Sequence, residues 1–499
     1  MGPIIIPMDG FESKAQLLHA LEEILQDPVA NALIGYIKLN DAVHMKLTSG
    51  PTLIEEIRYV LEKNGSTAKI FLDLKLADTN GTNVNILKHY VEQPPDILTV
   101  RDCCSSDGFL KLRKLLPDTN IALVSALTDM PVEECRRRYG MMPALKILND
   151  ITNIEICYAA IRESGDPLEP FDMIVCSPLE VEILANLFPY KFRLIVPGIR
   201  DPWMLKGQQK RTTGVREALN LGANFVVMGS QMTKGNPSAD ISAEKSRKMT
   251  MEEIEKSNFV EIIPEDPIAT LVNCSGYYVS PVDNDGNFVG PLVGYAGTYD
   301  DRDGNKKNYV GSCYFNVASA EPNPRTLNYF ASLVAEIIKG KIGVPDVVLG
   351  APMGGILLAE AIGVRLPCRI SFAEKKVTRL AVPEDGLKEE SMLIIKRHEI
   401  KSGDKVVVIE DLCNNFSTTD KLKALIESKG GKMVAVACVI NRSEKTDWNK
   451  LPVISVIHKP TPQYKQDDPK VIELVKAGNI VWKPKYEWDK LKKAMMEKR

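Results

Sequence analysis

The sequence predicts an α/β protein of two domains, in which an N-terminal (β/α)8 barrel precedes a second α/β domain with a β-rich part. Three observations support this prediction. Short apolar runs alternate with helix-like stretches up to about residue 245. The 499-residue chain is too long for one ordinary core. After residue 264 the pattern changes to β-type residues with glycine turns, and then to a mixed α/β pattern. We therefore place the domains at 1–245 and 246–499.

The first half contains eight apolar segments of β type. Helix-type periodicity fills most of the gaps between them, as at 14–25 and 52–61. Eight strand–helix units in about 240 residues are typical of a (β/α)8 (TIM) barrel. A doubly wound open sheet is the alternative, and it is disfavoured because no glycine-rich fingerprint follows the first strand. The predicted strands lie near 3–8, 33–38, 69–74, 96–100, 120–125, 172–176, 192–196 and 225–229.

Composition and charge exclude several functional classes. A formal net charge of −2 disfavours a nucleic-acid or membrane-surface role driven by bulk electrostatics. The 5 histidines are isolated and the 10 cysteines form no CxxC pair, so we expect no protein-bound transition metal. Reduced, mostly buried thiols are typical of a cytoplasmic protein, which is the expected location. No segment approaches the length of a membrane span.

The charged segment 73–78 contains the first candidate site. It follows the apolar run 69–72, so it lies where a strand ends and a loop begins. Strand alternation places Asp73 and Lys75 on the same side, and Asp78 follows in the loop. Neighbouring carboxylates resist joint ionisation, and a lysine between them relieves that. Because Lys38 ends the preceding strand, we expect a cluster of alternating charge. The alternative is a solvated charged loop.

Other candidate residues follow the remaining strands, at the end where barrels hold their active sites. Barrels often bind phosphate at the loops after strands seven and eight. The loop 201–210, which contains Gln209, is the candidate lid. The other candidates at strand ends are Asp9, Thr128, Pro197, Gly229 and Ser230.

The charged cluster resembles the active site of the orotidine 5′-phosphate decarboxylase family, a Lys-Asp-Lys-Asp tetrad in this order and spacing. The resemblance covers the first half and implies that Lys38, Asp73, Lys75 and Asp78 are catalytic. Lys75 would protonate C6 of the pyrimidine as CO₂ leaves, and Asp73 would crowd the substrate carboxylate. No cofactor is implied. Contacts to orotidine monophosphate (OMP) are implied for Asp9, Thr82, Thr128, Pro197, Gln209, Gly229 and Ser230.

The resemblance also implies a homodimer, because Asp78 and Thr82 of the family enter the neighbouring subunit's site. One departure is Ser230, where the family usually has an arginine that binds the phosphate. A second barrel family shares the Asp-x-Lys-x-x-Asp pattern: the magnesium-dependent 3-keto-gulonate 6-phosphate decarboxylase and its aldolase relatives. It typically has a metal-binding acid at the Lys38 position, so Lys38 favours the pyrimidine enzyme. The candidates to replace the phosphate arginine are Arg200, Lys206, Lys210 and Lys234.

The second half contains a strand, two acids and a polar loop that opens a helix. Strands are predicted at 347–349, 405–409 and 434–440, and a helix at 326–338. Glu410 and Asp411 follow the second strand. Carboxylates accept hydrogen bonds from ribose hydroxyls, while loop N–H groups and hydroxyls hold a phosphate at a helix start. The alternative is an ordinary β-turn-α unit with an N-cap. The segments 283–287 and 301–305 are predicted to be hairpin turns rather than calcium loops.

This half resembles the type I phosphoribosyltransferases, specifically orotate phosphoribosyltransferase, with a β-rich hood. Segment 350–356 matches the pyrophosphate loop and 377–396 the flexible catalytic loop. Mg²⁺ is implied as a complex with the pyrophosphate. The departures are Asn414-Asn415-Phe416 in place of Thr-Thr-Gly, and Glu374 where an arginine often stands. The resemblance implies phosphoribosyl pyrophosphate (PRPP) binding by Lys375, Lys376, Glu410, Asp411, Asn414, Asn415, Ser417 and Thr418, and orotate binding by Tyr314 and Phe315.

Together the halves resemble the fused uridine monophosphate (UMP) synthase family, in the inverted order relative to the animal enzyme. The implied substrates are orotate, PRPP and OMP. Since both families form homodimers, we expect a dimer or a tetramer. One alternative is a sugar-phosphate decarboxylase joined to a base-salvage transferase. Another is a nucleotide-sensing protein without catalysis, which the lack of a DNA-binding motif or basic patch disfavours.

Overall fold

Residues 2–44, 53–162, 169–204, 212–379 and 390–496 are described by the computed structural model of the protein. The chain divides into two compact units, Met1–Phe259 and Val260–Arg499. Within the described residues, no helix combines the length and the apolar character needed to cross a bilayer.

The first unit is a closed barrel of parallel strands in the order β1 to β8. Each predicted strand of the first half is confirmed, and β3 continues two residues past its predicted end. The strands are β1 (Ile4–Pro7), β2 (Ile34–Leu39), β3 (Lys69–Leu76), β4 (Ile97–Arg101), β5 (Asn120–Val124), β6 (Met173–Val175), β7 (Arg193–Pro197) and β8 (Phe225–Val227).

Helices follow the barrel strands and cover them. The predicted helix at 14–25 is confirmed, and it begins where the Ser13 hydroxyl accepts the N–H of Gln16 at 3.3 Å. The helices are α1 (Lys14–Leu25), α2 (Pro28–Leu33), α3 (Leu53–Lys63), α4 (Asn80–Lys88), α5 (Ser106–Leu115), α6 (Val132–Tyr139), α7 (Pro143–Ile161), α8 (Val181–Leu187), α9 (Val215–Leu221), α10 (Ser230–Thr233) and α11 (Ala243–Glu255). Short 3₁₀ turns span Asp41–His44 and Pro237–Ala239.

Strand alternation divides the barrel residues between two cores. Ile4 and Ile6 pack between strands and helices, whereas Ile5 belongs to a separate inner cluster. Tyr36 and Phe225 meet in that inner cluster with ring centroids 5.0 Å apart. Every second residue of a strand has the same direction. The residues two positions beyond these inner ones therefore point into the mouth of the barrel.

The second unit contains a six-stranded sheet in the order β14-β13-β17-β18-β20-β19, with a smaller hood of two further sheets. The hood sheets have the orders β12-β9 and β11-β10-β21, which confirms the predicted β-rich part. The sheet strands are β13 (Val347–Gly350), β14 (Arg369–Phe372), β17 (Lys405–Cys413), β18 (Lys432–Asn441), β19 (Asp447–Trp448) and β20 (Leu451–His458). The hood strands are β9 (Tyr277–Val279), β10 (Leu292–Asp300), β11 (Lys306–Gly311), β12 (Cys313–Phe315) and β21 (Ile480–Val481).

A two-stranded ribbon of β15 (Glu374–Arg379) and β16 (Glu390–Ile394) completes the strands of this unit. The predicted helix at 326–338 lies within α13. The helices are α12 (Pro267–Asn273), α13 (Pro324–Ile342), α14 (Gly355–Gly363), α15 (Ser417–Ser428), α16 (Ile472–Lys476) and α17 (Trp488–Met496), with a 3₁₀ turn at Val317–Ser319.

One predicted strand of the second unit ends too early. The prediction of 405–409 is wrong at its carboxyl end, because β17 continues to Cys413. The reason is tertiary pairing: β18 stays in register with it, with Glu410 opposite Cys438 and Cys413 opposite Asn441. The two acids therefore lie within a strand rather than after it.

The hairpin turn predicted at 301–305 is confirmed, since it joins the antiparallel strands β10 and β11. The Asp301 carboxylate accepts the N–H groups of Asp303 and Asn305, at 3.0 and 2.8 Å. Side-chain acceptance of this kind is typical of aspartate in turns.

Candidate active sites

Three predicted catalytic residues meet at the mouth of the barrel. Asp73 Oδ2 lies 3.3 Å from Lys38 Nζ and 2.7 Å from Lys75 Nζ. Lys38 Nζ is also 2.8 Å from Asp9 Oδ2. Tyr36 and Phe71 of the inner core lie two residues before Lys38 and Asp73, so the alternation of β2 and β3 aims both side chains into the mouth. The structure thus joins these four residues into one charge network.

Lys75 reaches this network through an unusual backbone conformation. Its φ of 48° is left-handed, and the pairing of β3 with β4 shifts between Leu72 and Leu76. This backbone conformation is rare for a lysine and persists only where neighbouring residues stabilise it. Thr99 of β4 provides support, because its Oγ1 accepts the Lys75 N–H at 2.8 Å.

Thr99 is a site residue that the sequence reasoning missed. Its hydroxyl accepts from Lys75 and donates to Asp73 Oδ1 at 2.9 Å, and the residue is 0% exposed. Asn40, after β2, donates to Asp73 Oδ2 at 3.5 Å and was also missed. Threonine is common in strands, so its residue type did not indicate a site. The usable signal was its position two residues beyond Ile97, which points its side chain toward the mouth of the barrel.

Asp73 is held as a carboxylate in this network. Burial alone raises the pKa of Asp73, but the nearby ammonium groups of Lys38 and Lys75 outweigh it, with hydrogen bonds from Lys75 and Thr99. The net result is a pKa below the ordinary value for aspartate. The Lys38 side chain is 10% exposed, whereas that of Lys75 is 36% exposed. Lys75 is therefore the more accessible ammonium.

Among the described residues Asp78 forms no ion pair with Lys38 or Lys75, so one chain joins three of the four predicted catalytic residues and the role of Asp78 stays a prediction. It is exposed, and its Oδ1 accepts the N–H of Thr79 at 2.6 Å. The Asn83 side chain holds the same turn, because its Nδ2 donates to the Asp78 carbonyl at 2.8 Å. Thr82, on the first turn of α4, is also exposed. The cause is position: β3 ends at Leu76, before the loop that carries Asp78.

The predicted phosphate side is built by the ends of β7 and β8. Pro197 ends β7, Gly229 precedes α10, and Ser230 is its first residue. A Cβ on Gly229 would lie 3.3 Å from Pro7 Cγ, so the chain after β8 passes close to the end of β1. Thr128 lies half-buried after β5. Gln209, Lys206 and Lys210 lie outside the described residues.

A buried pair that the sequence reasoning missed ties these two strand ends together. Asp201 is 3% exposed and Gln231 is 0% exposed. The Asp201 N–H donates to Gln231 Oε1 at 3.2 Å, while Asp201 Oδ1 accepts the Val215 N–H at 3.0 Å. Burial raises the pKa of Asp201. The pair fixes the start of the loop after β7 against the short helix after β8.

Two of the cations predicted to replace the phosphate-binding arginine lie in the described residues, and of these Arg200 is the partly buried one. Its guanidinium donates to the Ile199 carbonyl at 2.7 Å. Burial lowers the pKa of Arg200, and among the described residues its guanidinium has a carbonyl partner but forms no ion pair with a carboxylate. Lys234, by contrast, is exposed. A half-buried cation without a counter-ion is well suited to receive an anion.

The second candidate site lies at the carboxyl end of β17. Burial, and then the neighbouring Asp411, raise the pKa of Glu410 to about 8. Burial also raises the pKa of Asp411. The loop 350–356 packs tightly against them: a Cβ on Gly354 would lie 2.5 Å from the Asp411 carboxyl carbon. The loop between β13 and α14 therefore lies beside the paired acids.

Donors converge in the loop that follows these acids. Asn415 Oδ1 accepts the Ser417 N–H at 3.2 Å and the Ser417 hydroxyl at 3.1 Å. Phe416 between them has a left-handed backbone. Asn414 is exposed and Thr418 is half-buried on the first turn of α15. The loop thus gathers two donors at one point before a helix start.

The hood supplies the aromatic residues predicted to bind the base. Phe315 stacks on Tyr277 with ring centroids 4.7 Å apart. Burial raises the pKa of Tyr314, an effect opposed by the nearby charge of Arg442. Arg442 follows β18 and lies 4.9 Å from the centre of the Tyr295 ring. Arg442 was missed by the sequence reasoning, although its place two residues after the predicted strand 434–440 was a usable signal.

Two predicted PRPP residues are not brought to the paired acids. Lys375 and Lys376 are exposed on the ribbon β15–β16, and among the described residues neither forms an ion pair with Glu410 or Asp411. Glu374 forms an ion pair with Arg397 at 3.4 Å. Lys388, predicted to lie in the catalytic loop, is outside the described residues, as is the Arg379 side chain.

The described residues contain no group of three or more His, Cys, Asp or Glu side chains arranged to hold a metal ion. Glu410 and Asp411 nevertheless form a donor set that suits a cation, since both are half-buried carboxylates with raised pKa values. None of the ten cysteines, all of which lie in the described part of the chain, forms a disulfide.

Comparisons with known proteins match both units. The family model for the orotidine 5′-phosphate decarboxylase / HUMPS family matches residues 36–243, and the model for the phosphoribosyl transferase domain matches residues 318–465. Orotidine 5′-phosphate decarboxylase of Staphylococcus haemolyticus is 30% identical over 196 residues, covering 38% of this chain and 77% of that protein. The enzyme of the same name from Fusobacterium nucleatum is 28% identical over 237 residues, covering 46% and 88%.

A solved structure matches along the whole chain. The structure of Leishmania donovani UMP synthase covers 100% of this chain and 97% of that chain, at 13% identity and a TM-score of 0.38. Of the site residues described above, Lys38, Asp73 and Lys75 fall within the first matched family segment, and Glu410 and Asp411 within the second.

Proposed function

Since the chain belongs to the orotidine 5′-phosphate decarboxylase family through its barrel, we propose that the barrel converts OMP to UMP and CO₂. The phosphoribosyltransferase domain then supplies OMP from orotate and PRPP, so the two halves catalyse consecutive steps of pyrimidine nucleotide synthesis. We assign the decarboxylation of OMP to residues 1–245 and the formation of OMP to residues 246–499. The observation that carries the proposal is the single Asp73 carboxylate shared by Lys38 and Lys75.

The charge network explains how the barrel would break the bond. Asp73 is ionised because its pKa is lowered, so it repels the substrate carboxylate that is placed beside it. When the C–C bond breaks, its electron pair stays on C6 and CO₂ leaves. The Lys75 ammonium stabilises this developing charge and gives C6 its proton. Lys38, bridged to Asp9 and Asp73, keeps the network in place and faces the ribose.

Lys38 also separates this proposal from the sugar-phosphate alternative within the same broad family. A metal-dependent barrel needs an acid at that position, because a cation binds oxygen ligands. Here the position holds an ammonium that already bridges two carboxylates, at 2.8 and 3.3 Å. A second cation there would meet strong repulsion. The network therefore favours the cofactor-free reaction on OMP.

We assign the phosphate charge to Arg200, in place of the arginine that Ser230 replaces. Arg200 follows β7 directly, is half-buried, and lacks a carboxylate partner among the described residues. The backbone at Gly229 and Ser230 supplies further donors at the same end of the barrel. Remote phosphate binding of this kind can supply energy for closure over the reacting base.

The protein is proposed to act as a homo-oligomer. Asp78 and Thr82 are exposed and lie away from their own chain's network, on the loop and helix that follow β3. This position suits residues that complete the site of a second copy. A dimer or a tetramer satisfies the arrangement. The free thiols support the cytoplasmic location as a proposal.

In the transferase half, Glu410 and Asp411 are proposed to hold the ribose hydroxyls of PRPP, while Asn414, Asn415, Ser417 and Thr418 surround its 5′-phosphate. The loop 350–356 lies beside the acids and would hold the pyrophosphate. Mg²⁺, when bound with PRPP, would neutralise the leaving pyrophosphate. The two raised pKa values support this, because hydroxyl donors or a cation near the acids would stabilise their charged forms.

Orotate is proposed to lie against Tyr314 and Phe315 of β12. Arg442 favours an anionic base, because its guanidinium, just after β18, is close enough to Tyr314 for its positive charge to oppose the rise in the pKa of that residue. A carboxylate-bearing pyrimidine would complement that charge better than a neutral purine. To bind PRPP, Lys375 and Lys376 would have to approach it from the exposed ribbon β15–β16.

The test is an assay with orotate, PRPP and Mg²⁺ as the only substrates. The full chain should form UMP, whereas a Lys75→Ala variant should accumulate OMP because only the second step is blocked. The matched control is Lys111→Ala, an exposed barrel lysine paired with Asp107, which should behave as the unaltered protein. Failure of the unaltered chain to convert added OMP would refute the assignment of the barrel.

A further inference from the structure

The phosphate loop of the transferase half contains an aromatic residue in an unfavourable backbone conformation. Phe416 has φ 58° and ψ 15°, directly before the first residue of α15. This left-handed region costs free energy for residues with a Cβ, and glycine enters it most easily. Asparagine tolerates it better than phenylalanine does, yet the neighbouring Asn415 is not the residue that adopts it. Something outside the loop must therefore hold Phe416.

Trp448 contacts the Phe416 side chain. The two ring centroids are 5.9 Å apart and the ring planes differ by 21°. Both residues are 5% exposed and belong to the same core cluster. Offset stacking of this kind adds to the gain from burial. Rotating Phe416 out of the left-handed conformation would break the stack and expose the ring.

Trp448 itself is fixed by a tight hairpin at the edge of the sheet. It pairs with Leu451 of β20 across a two-residue turn, Asn449–Lys450, in which both φ angles are positive. The chain between β18 and Trp448 also contacts the start of the loop 414–416, because the Arg442 N–H donates to the Cys413 carbonyl at 2.8 Å. The loop is thus held at its start by a backbone bond and at its end by the stack.

The consequence lies in where the loop donors point. With Phe416 left-handed, the N–H and the hydroxyl of Ser417 both meet the Asn415 oxygen, at 3.2 and 3.1 Å. The Asn415 oxygen occupies the point on which these two donors converge, and an oxygen of a phosphate would replace it there. A loop that relaxed at Phe416 would lose this convergence.

We propose that Trp448 is a positioning residue for PRPP, which holds Phe416 in its left-handed conformation and so preorganises the loop for the 5′-phosphate. This inference rests on the proposed transferase function. Trp448 touches no reacting atom and acts only through Phe416. Preorganisation of this kind strengthens binding by removing the cost of ordering the loop.

The test measures PRPP binding by calorimetry with Mg²⁺, and initial rates with orotate, on the full chain. Trp448→Ala should weaken PRPP binding about tenfold and raise its KM equally, the equivalent of ~1.4 kcal/mol. The KM for orotate and kcat at saturating PRPP should stay within about twofold, because the loop adopts its bound form once PRPP is present. Trp448→Phe, which keeps a stacked ring, should stay within about twofold of the unaltered protein in all three.

The decisive variant combines Trp448→Ala with Phe416→Gly. Glycine occupies the left-handed region at little cost, so it should recover most of the lost PRPP affinity. A merely structural role for Trp448 predicts the opposite, since removing a second buried ring should weaken the protein further. If Trp448→Ala fails to fold, Trp448→Leu fills the space without an aromatic ring and should show the same loss and recovery.

Two results would overturn the inference: PRPP affinity within about twofold in the folded Trp448→Ala variant, or no recovery in the combined variant. Calorimetry separates these from failure of the proposed function. A chain that binds PRPP but never converts orotate refutes orotate as substrate, while the binding comparison still decides the role of Trp448. A chain that does not bind PRPP overturns both.

Discussion

Thr99 offers the sharpest test of the barrel site, because its one hydroxyl forms hydrogen bonds with two of the proposed catalytic residues, Asp73 and Lys75. Thr99→Val keeps the shape of the side chain and removes the hydroxyl. The change deletes the 2.9 Å bond to Asp73 and leaves the Lys75 N–H without the acceptor it has at 2.8 Å. A hydrogen bond to a charged group contributes about 1.5–3 kcal/mol, and an unsatisfied buried N–H costs about 1–3 kcal/mol.

The free energy lost with the Thr99 hydroxyl should be divided between a lower stability of the fold and a higher activation barrier. If about 2 kcal/mol of it enters the activation barrier, kcat/KM for OMP falls about 30-fold, because 1.36 kcal/mol corresponds to tenfold. The pH profile should change as well. Removing a bond to the charged form raises the pKa of Asp73, so the acid limb of the rate profile moves to higher pH.

The assay follows conversion of added OMP to UMP across pH, with thermal unfolding measured in parallel. Thr119→Val is the matched control. Thr119 is 1% exposed and its hydroxyl donates to the Pro95 carbonyl at 2.8 Å, just before β5, at the opposite end of the barrel. It should lower stability without moving the pH profile. A Thr99→Val variant with unchanged kcat/KM and unchanged acid limb would refute the reasoning.

Three further predictions concern the phosphate, the paired acids and the hood. Arg200→Met should raise the KM for OMP about 10–100-fold with less effect on kcat, since a charged hydrogen bond to phosphate is lost, whereas Lys234→Met at an exposed position should not; steady-state kinetics decides between them. Glu410 has a pKa of about 8 when folded and an ordinary one when unfolded, so folding stability falls as pH rises across that window. Glu410→Gln should remove this fall, so the variant's Tm, compared with that of the unaltered protein, should be about 5–10 °C more favourable at pH 8.5 than at pH 6. PRPP binding should weaken. Equal Tm changes at both pH values would contradict the assignment. Leu491→Ala removes a fully buried side chain from the cluster behind β9 and β10 and should cost about 2–4 kcal/mol, with OMP decarboxylation unchanged as the internal control.

The barrel could be predicted from the sequence because its signals are local and repeated. Each strand is an apolar run of its own, and the strand ends place Lys38 and Asp73 by simple alternation. Lys75 is different: the prediction that it faces Asp73 was right, but alternation was not the whole cause. The left-handed φ of 48° depends on a register shift against β4, which no local pattern reveals.

In the second unit, too, a local sequence pattern could not predict where β17 ends. Glu410 and Asp411 have no strand propensity, so a local reading ends the strand before them. Pairing with β18 extends it to Cys413. Similarly, Glu374 stands where the transferase family often has an arginine, and in the structure its carboxylate forms an ion pair with Arg397 at 3.4 Å. Long-range partners explain each of these differences.

The unequal exposure of the two barrel lysines has a consequence for the catalytic cycle. If Lys75 gives its proton to the product, every turnover leaves a neutral amine that must be recharged from water before the next substrate arrives. Its side chain is 36% exposed against 10% for Lys38, so the recharging proton has a short route to the donor and a poor one to its neighbour. If Lys75 is the proton donor, its exposure lets water reach its amine directly between turnovers.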